Sequence, residues 1–85
     1  MGKNTREITL EELKQAEEYE KVTLYIDKNK QNEIEERYGV NYILLPCMEF
    51  ERAYFDFREH YVAIEYGDFK KIPYDLIKKI EVVEK

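Results

Sequence analysis

Cys47 and His60 are the only thiol and the only imidazole in the chain, and so its only possible nucleophile and base pair. Cysteine catalysis requires a thiolate, drawn out by a nearby His or by a helix N-terminus. Cys47 instead follows the apolar run Val40 to Leu45 and sits between Pro46 and Met48, a setting that predicts a small buried hydrophobe. His60, in the polar segment Arg58-Glu59-His60, reads as a solvated turn residue. One Cys and one His fall short of the four ligands of a structural zinc site. The chain has no serine, only three glycines with which to cradle a phosphate, and no Asp-x-Asp-x-Asp-Gly calcium loop. Its nineteen acids supply carboxylate pairs such as Glu17/Glu18 and Glu33/Glu35, yet nothing marks one partner as acid and the other as base. The expectation is a non-enzymatic protein that works by binding, with no metal and no cofactor.

Two groups of residues could carry that binding. The first combines the acids Glu17, Glu18, Glu33, Glu35 and Glu36 with tyrosines, which number eight. Acids would steer a basic partner protein by long-range attraction, and could imitate nucleic-acid phosphates. Tyrosine is amphipathic and adds contact area at small entropic cost. Tyr25 lies opposite the Val22/Leu24/Ile26 side of its strand, and Val62 and Ile64 drive Tyr61 outward. Tyr25, Tyr54 and Tyr61 would therefore make one patch if their strands are neighbours. This is the leading expectation: a small acidic adaptor or inhibitor of another protein.

The second group is Tyr66, Phe69, Lys70, Lys71, Tyr74, Lys78 and Lys79. Aromatic faces beside lysines can stack and neutralise single-stranded nucleic acid or a nucleotide. Asp68, Asp75 and Glu81 lie among these lysines and cancel much of their charge, and lysines on a late strand also protect sheet edges. A homo-oligomeric scaffold assembled through sheet edges is a third possibility.

Composition agrees with a binding role. The formal net charge is −5 and the pI near 4.9, which disfavours general duplex binding and anionic membranes. The excess sits in the N-terminal half: residues 1–49 hold 11 acids against 7 bases, residues 50–85 hold 8 against 7. With 44% apolar residues the chain can build a core, and at 85 residues one core is all it can afford. A single cysteine excludes an internal disulfide and suggests a reducing compartment. Without a signal-like apolar run or a segment of about 20 apolar residues, a cytoplasmic location is expected. Abundant Lys, Ile, Tyr and Glu with few Arg is usage associated with AT-rich bacterial and phage coding.

These residues must be positioned by a small α+β domain spanning 1–85, with 1–7 a flexible N-terminus. Thr9 and Glu12 form a capping box that predicts a helix over 8–20, with Ile8 and Leu13 as its hydrophobic staple. Residues 21–27 alternate as a half-buried strand, and 27–31 carry turn chemistry. Asn32 to Tyr38 read as a short helix capped by Asn32 and ended by Gly39, with a solvated hairpin arm as the alternative. Val40 to Leu45 read as a strand stopped by Pro46, and Met48 to Phe57 as a further strand. Tyr61–Tyr66 and Phe69–Ile72 form a hairpin around Gly67-Asp68. Pro73–Leu76 make one helical turn, and Ile77–Val83 a last strand. The architecture expected is an N-terminal helix followed by a strongly bent antiparallel sheet of about five strands. Over residues 54–83, the hairpin, one-turn helix and final strand resemble SH3-like and Sm-like small barrels. That resemblance implies a topology and no function.

Overall fold

In the computed structural model, residues 5–16, 18–66 and 68–84 are described, with Tyr66 and Asp68 as backbone only. The elements run β1 (Thr5–Ile8), α1 (Leu10–Gln15), β2 (Tyr19–Ile26), α2 (Lys28–Tyr38), β3 (Cys47–Glu51), β4 (Phe55–Phe57), β5 (Tyr61–Tyr66), β6 (Asp68–Pro73) and β7 (Ile77–Glu84). Single 3-10 turns, Arg52–Tyr54 and Tyr74–Leu76, precede β4 and β7. The strands form two antiparallel sheets, one of order β1-β7-β2-β3 and one of order β4-β5-β6. The chain is thus mixed α and β, mostly strand. Seven strands in two sheets replace the expected five in one, and no strand pairing among the described residues closes them into a barrel.

The inner faces of both sheets meet in one cluster. Val22, Leu24 and Ile26 of β2 and Ile80 and Val82 of β7 pack with Val62, Ile64 and Ile72 of the smaller sheet. Period-two alternation therefore sets the two faces of the larger sheet: these residues point in, while Lys21, Thr23 and Tyr25 point out. Replacing Leu24 or Ile64, both fully buried, with Ala would cost about 3 kcal/mol.

Several expectations are corrected. Residues 5–7 are strand β1, paired with β7 from Thr5↔Val83 to Ile8↔Ile80. Arg6 anchors that pairing, its guanidinium donating to Glu84 Oε1 at 2.6 Å and to the Tyr19 hydroxyl at 3.2 Å. The first helix keeps its capping box but ends at Gln15, and the chain is already strand at Tyr19. Its apolar stripe is too thin to extend it; only Leu13 is fully buried. Arg52 closes its end from 36 or more residues away, donating Nε to the carbonyls of Leu13 and Ala16, both at 3.1 Å. With 6% of its surface exposed, this arginine satisfies carbonyls that a helix end leaves orphaned.

Helix α2 starts five residues earlier than expected, because Asp27 rather than Asn32 caps it by accepting from the Lys30 N–H. The helical reading of 32–38 holds, and Gly39 ends it in the left-handed region at φ +65°. Residues 40–45 are not a strand but part of a loop. Ile43 takes φ +50°, a conformation no β-ladder accommodates. The loop is moored to α2: Glu35 accepts from the Tyr42 N–H at 2.8 Å, Lys28 donates to the Leu44 carbonyl, and Leu44 is buried. Residues 48–57 split at the 3-10 turn, so that β3 and β4 join different sheets. The hairpin, the helical turn and the last strand appear near where expected, but Asp68 and Pro73 belong to β6 rather than to the turns, and the 3-10 turn is Tyr74–Leu76; Gly67 lies outside the described residues.

Candidate functional site

Cys47 opens β3 with its side chain outward, since Met48 and Phe50 take the core face. It is exposed, not buried as expected; position parity in the strand overrides the apolar run before it. Its nearest cross-strand partner is Tyr25. His60 is exposed between β4 and β5 of the other sheet, 3.7 Å from Glu59. Among the described residues, no hydrogen bond joins Cys47 to His60, and no group of three or more His, Cys, Asp and Glu side chains could hold a metal ion. Also among them, no helix is long and apolar enough to cross a membrane.

The acid and tyrosine group is dispersed. Glu17 lies outside the described residues, while Glu18 is exposed before β2. On α2, Glu33 and Glu36 are exposed, and Glu33 pairs with Arg37 at 3.6 Å. Glu35 is committed to the fold: the Tyr42 N–H and the Gln31 side chain hold its carboxyl below the usual carboxylate range. Tyr25 belongs to the four-stranded sheet, Tyr61 to the three-stranded one and Tyr54 to the turn between them. Their strands are not neighbours, so they do not form the single patch that alternation suggested.

The structure gathers a different set of acids. Across the outward face of the larger sheet, register aligns Glu7, Glu81, Thr23 and Glu49 in one row over four strands. Tyr25 stands beside it, its hydroxyl donating to Glu81 Oε1 at 2.5 Å. That bond pushes the Tyr25 pKa up to about 12, with desolvation assisting, and lowers that of Glu81. Lys79 lies 3.5 Å from Glu81 and over the Tyr25 ring, and Lys21 lies 4.0 Å from Glu49. This face is polar and largely self-neutralised. Only strand register could have revealed it, because the four residues lie far apart in the chain.

The aromatic and lysine group divides between two grooves. Tyr74, Lys78 and Lys79 border one of about 240 Å³ beside β1, which also holds Glu7 and Thr9. There Lys14 covers the Tyr74 ring at 4.7 Å, and the Tyr74 hydroxyl donates to the Arg58 carbonyl. Phe69, Lys70 and Lys71 border the other, of about 570 Å³, together with Asn41, Tyr42 and Ile43. The Tyr66 side chain lies outside the described residues.

This larger groove runs along β6, one edge of its sheet, beyond which no strand pairs among the described residues. Ile43 is 73% exposed, Phe69 58% and, farther along the loop, Leu45 66%. Lys71 sits over both the Tyr61 ring, at 5.5 Å, and the Phe69 ring, at 5.8 Å. Among the described residues, neither Lys70 nor Lys71 has an ion pair. Holding a β-branched residue in the left-handed region costs about 1–2 kcal/mol. Ile43 is held there although its side chain gains little burial, with its N–H on the Asn41 side chain at 3.2 Å. Phe69, Lys70 and Lys71 were visible as candidates in the sequence; Ile43 was hidden by reading its segment as a strand. Comparison of the chain with known protein families, with characterised proteins and with solved structures gives no match.

Proposed function

We propose that this chain is a small protein-binding module, an adaptor or inhibitor, whose contact surface is the β6 edge with the loop facing it. The observation that carries the reading is the exposure of Ile43 and Phe69 across one groove beside two lysines that have no ion pair among the described residues. Large apolar side chains held clear of a core mark interaction surfaces when they gather in one place. An apolar centre with a charged rim is the usual anatomy of a protein contact. The acids on the larger sheet serve solubility. For the architecture, the small-barrel reading is supported by the hairpin in one sheet, the 3-10 turn and the crossing of β7 into the other.

Affinity capture from the native cells, with quantitative mass spectrometry, tests the function. A partner recovered by the parent chain and by Tyr25→Ala, but lost with Ile43→Asp/Phe69→Asp, fits the reading. If the double variant keeps its spectrum of core resonances and also keeps the same partner, the contact surface lies elsewhere.

A second reading, binding of single-stranded nucleic acid, draws on Phe69 next to Lys70 and Lys71. Fluorescence anisotropy with labelled oligonucleotides at low salt separates it: tight, salt-sensitive binding lost in Lys70→Glu/Lys71→Glu would favour it over a protein partner.

A further inference from the structure

Strand β6 has β5 on one side and, among the described residues, no strand on the other. The Tyr74 N–H donates to the His60 carbonyl at 3.2 Å, and these residues continue the β5–β6 register. Hydrogen-bonded pairs alternate along an antiparallel ladder. Ile72 and Lys70 therefore share the bonded pairs with Val62 and Ile64, and the backbone groups of Phe69 and Lys71 point away from β5 into the open groove. Pro73 falls on the same outward phase, where its missing N–H breaks no bond. Among the described residues, nothing hydrogen-bonds the Phe69 or Lys71 backbone. Side chains alternate too: Phe69 and Lys71 stand on one face of this edge, with Lys70 between them on the other.

Resting on the protein-binding reading above, we propose that the groove takes an extended acidic segment of a partner protein, which adds to β6 as a fourth strand. Main-chain bonds to Phe69 and Lys71 would supply the register-independent part of the affinity, as in other strand additions. Specificity would come from cross-strand neighbours: an apolar side chain beside Phe69 and Ile43, and two consecutive acids beside Lys70 and Lys71. Opposite charges facing each other across strands are favourable, and like charges are not. That contrast argues against a second copy of this chain, since pairing two β6 edges about the Lys70-Lys71 pair sets lysine against lysine. Lysine and proline also guard edges against indiscriminate pairing. Here they do so beside an exposed Phe69, so that only an acidic strand is admitted.

A random decapeptide library displayed on yeast and sorted against the whole chain tests this. Enriched peptides are then synthesised and their affinities measured. The expected result is a shared pair of adjacent acids next to an apolar residue, with affinity falling at least tenfold for Lys70→Glu/Lys71→Glu and for Lys71→Pro. Lys71→Pro removes an outward N–H while leaving the β5 ladder alone; native core resonances confirm that each variant is folded. On binding, the Phe69 and Lys71 amides should gain protection from hydrogen exchange.

Peptides without acids, peptides that leave those two amides unprotected, or no enrichment at all would overturn the strand-addition proposal. The broader reading survives any of these if the captured partner still depends on Ile43 and Phe69. Displacement of the peptide by single-stranded DNA, or concentration-dependent self-association abolished by Lys71→Pro, would reassign the edge to nucleic acid or to a second copy.

Discussion

The outward face of the four-stranded sheet and the free edge of the three-stranded sheet carry similar residue types but use them in opposite ways. On the broad face, charged and polar side chains meet within a strand or across to the next: Tyr25 with Glu81, Lys79 with both, Lys21 with Glu49. At the β6 edge, two lysines have no carboxylate partner among the described residues, and Phe69 and Ile43 are largely exposed. Surrounded by neighbouring strands, a central strand satisfies its side chains locally. An edge strand leaves groups over. Binding capacity in a domain this small thus follows position in the sheet more than residue type.

That contrast can be broken or sharpened by substitution, starting with the shared core. Arg52→Met should destabilise the fold by about 3 kcal/mol, because it strands two helix-end carbonyls in a buried place. Chemical denaturation would show it; a loss under 1 kcal/mol would mean that water can replace the guanidinium. Next, Phe69→Ala should weaken partner binding by about 2 kcal/mol, the range of an interface anchor. Tyr25→Ala should leave that affinity within threefold. Equal losses would erase the distinction between the two regions.

Ile43→Gly separates function from stability at the edge itself. Glycine accepts φ +50° without strain, and this isoleucine has little burial to lose. Stability should rise by about 1 kcal/mol while partner affinity falls. A stability loss would show that the side chain packs against something in the free protein.

The smallest effects are those of pH on the broad face. Because the Tyr25 pKa is raised to about 12, its bond to Glu81 stabilises the fold fully below the ordinary tyrosine value of 10.0, and the contribution fades as pH climbs through 12. Glu81 has a lowered pKa, so its contribution is present above the ordinary carboxylate value and fades as pH falls through the lowered one. An absorbance titration should show a tyrosine that ionises only near pH 12, and Glu81→Gln should lower that value. For the same reason Glu35 should release the Tyr42 N–H in acid, seen as faster exchange of that amide while β2 stays protected.

How much of this was legible in the sequence depends on the range of the forces involved. The Thr9–Glu12 capping box, the alternation of β2, the hairpin and the turn at 74–76 are local, and they appear where the residues put them. Strand β1 exists only because β7, at the other end of the chain, offers it an edge. The left-handed Ile43 depends on a loop tied back by Glu35 and Lys28. The first helix ends beside an arginine from another part of the fold. Likewise Lys70 and Lys71 were recognisable as a candidate pair, whereas the residues opposite them across the groove were not. Expecting Cys47 in the core weighted composition above strand parity, and parity prevailed.

Residue-resolved hydrogen exchange on the free chain tests the open edge most directly, because it needs no partner. The account predicts slow exchange at Lys70 and Ile72, whose N–H groups bond to β5, and rates near those of an unprotected chain at Phe69 and Lys71. Uniform protection along all four residues would mean that the edge is already covered, and that the groove beside it is no docking site.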